Sequence, residues 1–416
     1  MQHYFDVIII GSGIAGLYSA YNIKKMCPRL SVVILERDKK EWVGGRIGND
    51  QFYGNSVVVG AGVGRKQKDK LLVKLLKELN IKTTECGIQM NYAKTIPQVI
   101  DVEKTIHYLQ KEYETDPEKY KSLTFSQFAK PLLGTKNYDL FKISAGYTDY
   151  ENEDVYETLF HYGMDDNNPG WKSLIIPWKE LVQKLVLKIG PLHVKTKTNV
   201  LSIQQKRVNP STLFQIDTSK VTYFCNKVII ATNITSILKL VPGADRVNSP
   251  YLQIHGQPFL RVYGKFSKKS AELLSSYVPY QTIVPGPLHK LIPLKNGVFM
   301  IAYTDNEGAL FLKDHLDNNL DNRHFFEDLL EKSLGIPKNS LDLIAIKGYY
   351  WPIGTHYYSP LKGFSSRELF IHDIQHPFPN VLVVGEAVSR KQGWTEGALE
   401  SVEAVVNKKW LHCLQK

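Results

Sequence analysis

The chain has 416 residues, 43% hydrophobic and 22% charged, which excludes a disordered or low-complexity protein and leaves room for two domains or one interrupted by a second. The net charge of +11 comes from cations dispersed along the chain, so it reads as a solvated basic surface and points to no specific nucleic-acid partner. Four cysteines without a C-x-x-C pair exclude a disulfide scaffold or zinc site, no metal is expected, and with no membrane-length apolar run and no signal-type leader the simplest expectation is a soluble, cytoplasmic protein.

Tyr4 to Ile10 is a short, nearly continuous apolar run, as expected for a strand buried on both faces of a parallel sheet. It runs into Gly11-Ser12-Gly13-Ile14-Ala15-Gly16, a G-x-G-x-x-G turn, and then into a helix from Leu17 to Lys25. Gly11 permits the tight turn, Gly13 lets the backbone approach a pyrophosphate, and Gly16 lets the helix pack closely on the strand. Ile14 and Ala15 stand between them at the helix N-terminus, which faces the phosphates. A second strand, Ser31 to Leu35, ends in Glu36, about twenty residues past the last glycine, where an acid accepts from ribose hydroxyls. Strand, glycines, helix, strand and acid make a complete dinucleotide fingerprint; at this point FAD and NAD are not separated.

Beyond Glu36, the run Arg37 to Arg46 closes on Gly44-Gly45-Arg46. This resembles the segment in which an acid is followed by G-G-R in flavin amine oxidases, the family of monoamine, polyamine and L-amino acid oxidases and protoporphyrinogen oxidase. The resemblance implies FAD, with Arg46 on its pyrophosphate and Arg37 among the cofactor-binding residues. A planar, always-charged guanidinium suits a diphosphate. Gly60-Ala61-Gly62-Val63-Gly64-Arg65-Lys66 is not a phosphate loop, because Gln67 stands where Ser or Thr is needed. By the resemblance, Gly60 and Ala61 pass the flavin. Leu72, Leu75, Leu76 and Leu79 then mark an amphipathic helix.

Residues 83 to 168 carry no motif, and Asp165-Asp166, with no histidine at ligand spacing, reads as a solvated loop. From Gly170 the resemblance resumes. Val194 to Ile203 and Val221 to Thr232 alternate as strands joined through a hairpin, with Val200 at the adenine by resemblance.

In Phe259 to Phe266, Arg261, Tyr263 and Lys265 share one strand face and Leu260 and Val262 the other. The family carries a lysine here, bridged through water to the flavin. Arg261 takes that place and Lys265 lies one repeat further on, so both are catalytic candidates. An arginine, which keeps its proton, can polarise the flavin, hold a water or clamp an anionic substrate. Trp351 to Tyr358 resembles the stretch that runs against the flavin, with Trp351 and His356 on the cofactor and Tyr357 facing the ring. His356 occupies the position of the cysteine that bonds to flavin in monoamine oxidases, so non-covalent FAD is expected ahead of a histidyl link. Gly385-Glu386 follows a buried strand, and Gly393-Trp394-Thr395-Glu396-Gly397-Ala398 opens a helix whose N–H groups face the flavin. This resembles the family's C-terminal signature. Gly385, Glu386, Trp394, Thr395 and Ala398 are assigned to the cofactor, and Trp394 pairs with Tyr357 as an aromatic substrate wall.

The expectation is an α/β protein, α+β overall, with a Rossmann-like FAD-binding domain from 1–80, 170–245 and 370–416. A mixed-sheet and helical substrate domain from 81–169 and 246–369 is interleaved with it. The activity implied is oxidation of a small-molecule amine with FAD and O2, giving imine or aldehyde and hydrogen peroxide, by a monomer or homodimer. A desaturase or protoporphyrinogen-oxidase-like dehydrogenase and a non-catalytic flavin-binding protein are the alternatives.

Overall fold

The computed structural model describes residues 3–412 apart from 88, 165–166, 168–170 and 209–210, so Asp165, Asp166 and Gly170 lie outside the described residues. The strand His3–Ile10 sits inside a seven-stranded sheet, parallel to Val32–Leu35 on one side and to Thr222–Ile230 on the other. Its side chains alternate between two cores, which is why the run is apolar at every position. Val7 and Ile9 pack with the helices Ile14–Met26 and Thr395–Val405, and Ile8 and Ile10 pack with Phe214, Ile216 and Phe370 on the opposite face. Val381–Val383 joins the sheet parallel to Thr222–Ile230, so segments from both ends of the chain meet at its middle.

Val200–Val208, Ser211–Thr218 and Thr222–Ile230 form an antiparallel meander at the other edge. The continuous strand expected from Val194 to Ile203 is instead two, and Val194–Lys195 pairs with Val32–Leu35 at the far side of the sheet. The break has a local cause. Lys197 adopts a left-handed φ of 53°, and the N–H groups of Lys197 and Thr198 bond to the carbonyls of Asp38 and Glu36, carrying the chain across the strand ends.

A second, six-stranded sheet is built from Leu343–Tyr358, Ile254–Phe266, Val298–Asp305, Lys290–Pro293, Gln281–Ile283 and Met90–Tyr92. One face of Ile254–Phe266, with Leu260 and Val262, packs on a helical core containing Leu312, Phe326 and Leu330. The opposite face carries Arg261 and Tyr263 towards residues 53–62, and the Tyr263 hydroxyl donates to the Val58 carbonyl at 2.8 Å. The motif-free stretch folds as helices Val102–Thr115, Phe125–Leu133 and Thr135–Ala145 around Leu109, Phe125, Phe128 and Phe141. The fold is mixed α/β, as expected. Cys86 and Cys225 are free thiols, but Cys27 is disulfide-bonded, which wide sequence spacing did not suggest. Among the described residues no helix is long and apolar enough to cross a membrane.

Candidate active site

The glycine turn after the first strand is the floor of the site. Gly11 has φ of 99°, and a side chain there would collide with the Ala231 carbonyl oxygen at 2.5 Å; at Gly16 it would meet the Gly11 carbonyl oxygen at 2.0 Å. Only glycine lets strand, turn and helix approach this closely. Gly13 differs, because a Cβ added there meets nothing within 4 Å and would fill open space. The helix Ile14–Met26 begins with no side-chain cap and no acid in its first turn, leaving its N–H groups for an anion.

Gly44-Gly45-Arg46 lies directly on this turn. Gly44 bridges to Gly13, and its N–H donates to the Ser12 carbonyl at 2.9 Å. Gly60 and Ala61 in turn lie on Arg46, whose carbonyl accepts the Ala61 N–H at 2.8 Å. Gly385, at φ of 127°, donates its N–H to the Ser401 hydroxyl at 2.8 Å, and a Cβ added there would meet only the Ala15 Cβ, at 4.0 Å. Glu36 stands at the end of its strand, with one carboxylate oxygen accepting from the Ser12 N–H and hydroxyl at 2.8 and 2.6 Å and the other from the Asp38 N–H at 2.8 Å. Val200 is half-buried, two residues past Thr198, whose N–H holds the Glu36 carbonyl. Arg37 points into solvent, 3.5 Å from Asp38.

Glu386 is a junction for four groups. One oxygen accepts from the backbone N–H of His356 and of Gly393 at 2.8 and 2.7 Å; the other accepts from Arg46 at 3.0 Å and meets His356 Nδ1 at 2.7 Å. Burial opposes its ionisation, yet His356, Arg46 and the Gly393 N–H together hold the carboxyl well below the usual carboxylate range. Arg46 donates a further bond to the Gly354 carbonyl at 2.8 Å. His356 Nε2 accepts the Ile234 N–H at 3.2 Å, which makes Nδ1 the protonated nitrogen, and both ring nitrogens are engaged by the protein. Trp351 donates to the Val59 carbonyl at 2.7 Å, and its indole meets Trp42 edge-on.

Thr395 opens the helix Thr395–Val405, again without a side-chain cap, and Ala398 is buried in its first turn. Glu396 turns away to accept the N–H groups of Leu71 and Leu72 at 2.8 and 2.9 Å, capping the helix Lys70–Glu78. The ring of Trp394 is covered by the Arg65 guanidinium at 3.8 Å, and Tyr357 stacks on His255 at 5.1 Å; among the described residues no ring contact joins Trp394 to Tyr357. Arg261 is buried, its guanidinium 3.8 Å from the Tyr303 ring and close against Gly62, whose added Cβ would lie 3.1 Å from Nη2. Lys265 shares that strand face but lies apart at the sheet's far end, bonded to the Asn296 carbonyl near Tyr53.

Sequence reasoning missed Arg65, although its i,i+4 spacing to Asp69 was visible. It also missed Tyr303, and Gln257, which donates to the Asp149 carbonyl at 2.8 Å and the Thr355 hydroxyl at 3.1 Å beside Gly393. Nothing local marks Tyr303 or Gln257.

The model of the flavin containing amine oxidoreductase family matches residues 14–406. Wild-type putrescine oxidase bound to putrescine superposes with a TM-score of 0.73 at 13% identity, covering 98% of this chain and 99% of that one. Cyclohexylamine oxidase from Brevibacterium oxydans IH-35A gives the same TM-score, identity and coverage, and a variant of putrescine oxidase redesigned in cofactor binding gives 0.74 at 14% identity. A search of curated protein sequences gave no match.

Proposed function

Because the chain belongs to the flavin-containing amine oxidoreductase family, and is thus a flavin-dependent enzyme acting on CH–NH groups, we propose that it holds FAD non-covalently across these glycine turns and oxidises an amine-bearing carbon. When bound, FAD supplies the acceptor for a hydride from that carbon and passes the electrons to dioxygen, so that an imine, hydrolysed by water, and hydrogen peroxide are the products.

The observation that carries the reading is the meeting of Gly13 with Gly44, with the bare backbone of Gly385 facing Ala15, around open space at an uncapped helix N-terminus. Three segments far apart in sequence leave bare backbone there, which suits a diphosphate. In this reading Arg46 balances diphosphate charge from its place between Gly354 and Glu386, and Glu36 turns to ribose hydroxyls. Glu386 orients the ribityl side, and the N–H groups at Thr395 stabilise negative charge on the flavin's pyrimidine edge. Trp394 and Tyr357, each backed by a fixed partner, are the substrate walls; a rigid aromatic face orients an amine and favours its cation. No reacting role falls to Lys265. Residues 1–80, 170–245 and 370–416 form the FAD-binding part, and 81–169 with 246–369 the substrate part.

Engagement of both His356 nitrogens supports a non-covalent flavin, because a covalent bond would break one of those contacts. The test is the spectrum of FAD-reconstituted protein, first after acid precipitation and then, without oxygen, on adding polyamines, aromatic monoamines or L-amino acids. Flavin is expected in the acid supernatant, and one amine class is expected to bleach it. Protein that shows no flavin bands after reconstitution overturns the reading.

A further inference from the structure

Three arginines are more than nine-tenths buried among the described residues: Arg65, Arg261 and Arg367. Two are matched to acids. Arg65 lies 2.7 Å from Asp69, and Arg367 lies 3.1 Å from Glu157 and 3.7 Å from Asp154. Among the described residues Arg261 has no carboxylate within ion-pair distance. Its partners are neutral: the Met300 sulfur at 3.7 Å from Nη1, the Tyr303 ring at 3.8 Å, and the Tyr263 hydroxyl.

Leaving a guanidinium in that state is costly. Removing a charge from water costs several kcal/mol even after relaxation, and a cation–π contact returns only about 2 kcal/mol. Among the described residues the surroundings offer no spare acid. Asp305, two residues beyond Tyr303, accepts both the N–H and the hydroxyl of Thr148. Asp149 accepts the Tyr162 hydroxyl. Lys290, buried with its ammonium over Tyr147 and 5.8 Å from the Tyr303 ring, adds positive charge to the same tyrosine pair. Nη2 of Arg261 stands where a side chain on Gly62 would reach, 3.1 Å from an added Cβ, in the loop that reaches Arg46 through Ala61, so its fork borders the cleft proposed for flavin and amine.

We propose that Arg261 binds a carboxylate of the substrate, so that the amine oxidised at this site is an amino acid rather than a simple monoamine or polyamine. The proposal rests on the amine-oxidising reading and sharpens it. A planar, permanently charged fork takes a carboxylate through two parallel hydrogen bonds, and the Tyr303 stack fixes its plane. The carboxylate is bound and not consumed. The C–H and N–H bonds of the amine-bearing carbon supply two electrons and two protons to dioxygen, giving hydrogen peroxide and an imino acid, and water converts that to a 2-oxo acid and ammonia.

The test uses FAD-loaded protein and two sets of probes. Benzoate and propionate, which cannot be oxidised here, are titrated against flavin absorbance in the native protein, R261K and R261M. The expected result is a spectral shift in the native protein with binding about 10-fold weaker in R261K and about 100-fold weaker in R261M, the range for a lost charge-assisted contact. In the second set, anaerobic flavin reduction by L-amino acids is compared with reduction by the amines left after their decarboxylation, and the native protein is expected to prefer the acids. If R261M does not retain FAD, the native protein and R261K still decide. Carboxylates that bind native protein and variant alike, or not at all, overturn the proposal. So do decarboxylated amines that reduce the flavin as well as the amino acids; that outcome leaves amine oxidation standing, whereas a flavin bleached by neither set removes the underlying reading.

Discussion

The guanidinium of Arg65 covers the ring of Trp394 at 3.8 Å while pairing with Asp69 at 2.7 Å, and both members of the ion pair are almost wholly buried. The contact ties the loop 60–66 to the N-terminus of the helix Thr395–Val405. Burial pushes the Asp69 carboxyl up, against the opposing effect of Arg65, so removing the arginine strands a costly charge. Arg65→Leu is expected to lower stability by about 3–5 kcal/mol in urea denaturation and to shift Trp394 emission, with a smaller loss for Arg65→Lys. An unchanged urea midpoint in Arg65→Leu would show that the pair contributes nothing.

Glu386 has a folded-state pKa below its ordinary value of 4.5, so it contributes stability that is present above pH 4.5 and is lost as pH falls towards the folded value. Glu386→Gln is expected to cost about 3–5 kcal/mol at pH 7, because Arg46 then loses its buried counter-charge. The gap between native protein and variant should narrow in melts taken below pH 4.5. A gap that does not vary with pH would mean that the carboxylate is not the ionised hub the geometry describes.

Gly13 and Gly60 make a contrasting pair. At Gly60 an added Cβ would lie 2.2 Å from the Arg46 carbonyl oxygen, a backbone atom that no side-chain rotation moves away. Gly60→Ala is expected to destabilise the FAD-free protein by about 1–3 kcal/mol. At Gly13 there is free space and an ordinary φ of −63°, so Gly13→Ala should leave FAD-free stability within about 1 kcal/mol. Its cost should fall on FAD, weakening binding at least about tenfold, because a methyl then occupies the backbone's closest approach to the diphosphate. Fluorescence titration of FAD checks this, and native-like affinity in Gly13→Ala would remove the diphosphate from that turn.

Glu153 behaves in the opposite sense to Glu386. Burial first, and then the neighbouring Glu157, push its carboxyl up to about 8, against the Thr158 hydroxyl at 3.0 Å and Arg367. Between pH 4.5 and about 8 the folded chain holds a proton that the unfolded chain releases, so stability falls as pH rises through this window, by at most about 1.4 kcal/mol per pH unit. Glu153→Gln keeps an acceptor for Thr158 and should flatten that slope in melts between pH 5 and 8. An identical slope in the variant would show that Glu153 is ionised in the fold.

Much of this chain was readable before its structure was known, and the readable parts share one property. The first strand, the turn from Gly11 to Gly16 and the strand ending at Glu36 are local: an apolar run, a positive φ and a close helix approach each restrict residue type within a few positions. The same holds for the positive φ of Gly385 and the uncapped helix at Thr395. Where a backbone choice was not forced by residue type the reading failed, as at Lys197, whose left-handed turn splits an alternating run that looked like one strand.

Sequence by itself determined the α/β class, the glycine turns and the face that Arg261 shares with Tyr263 and Lys265, because periodicity and backbone freedom are properties of neighbours in the chain. Tertiary structure alone decided that Arg65 covers Trp394, that Glu386 gathers Arg46 and His356, and that Lys265 stands apart while Arg261 is buried with no acid partner among the described residues. Those partners come from segments tens to hundreds of residues apart, and their charges and rings are matched only when separate strands and helices pack against one another.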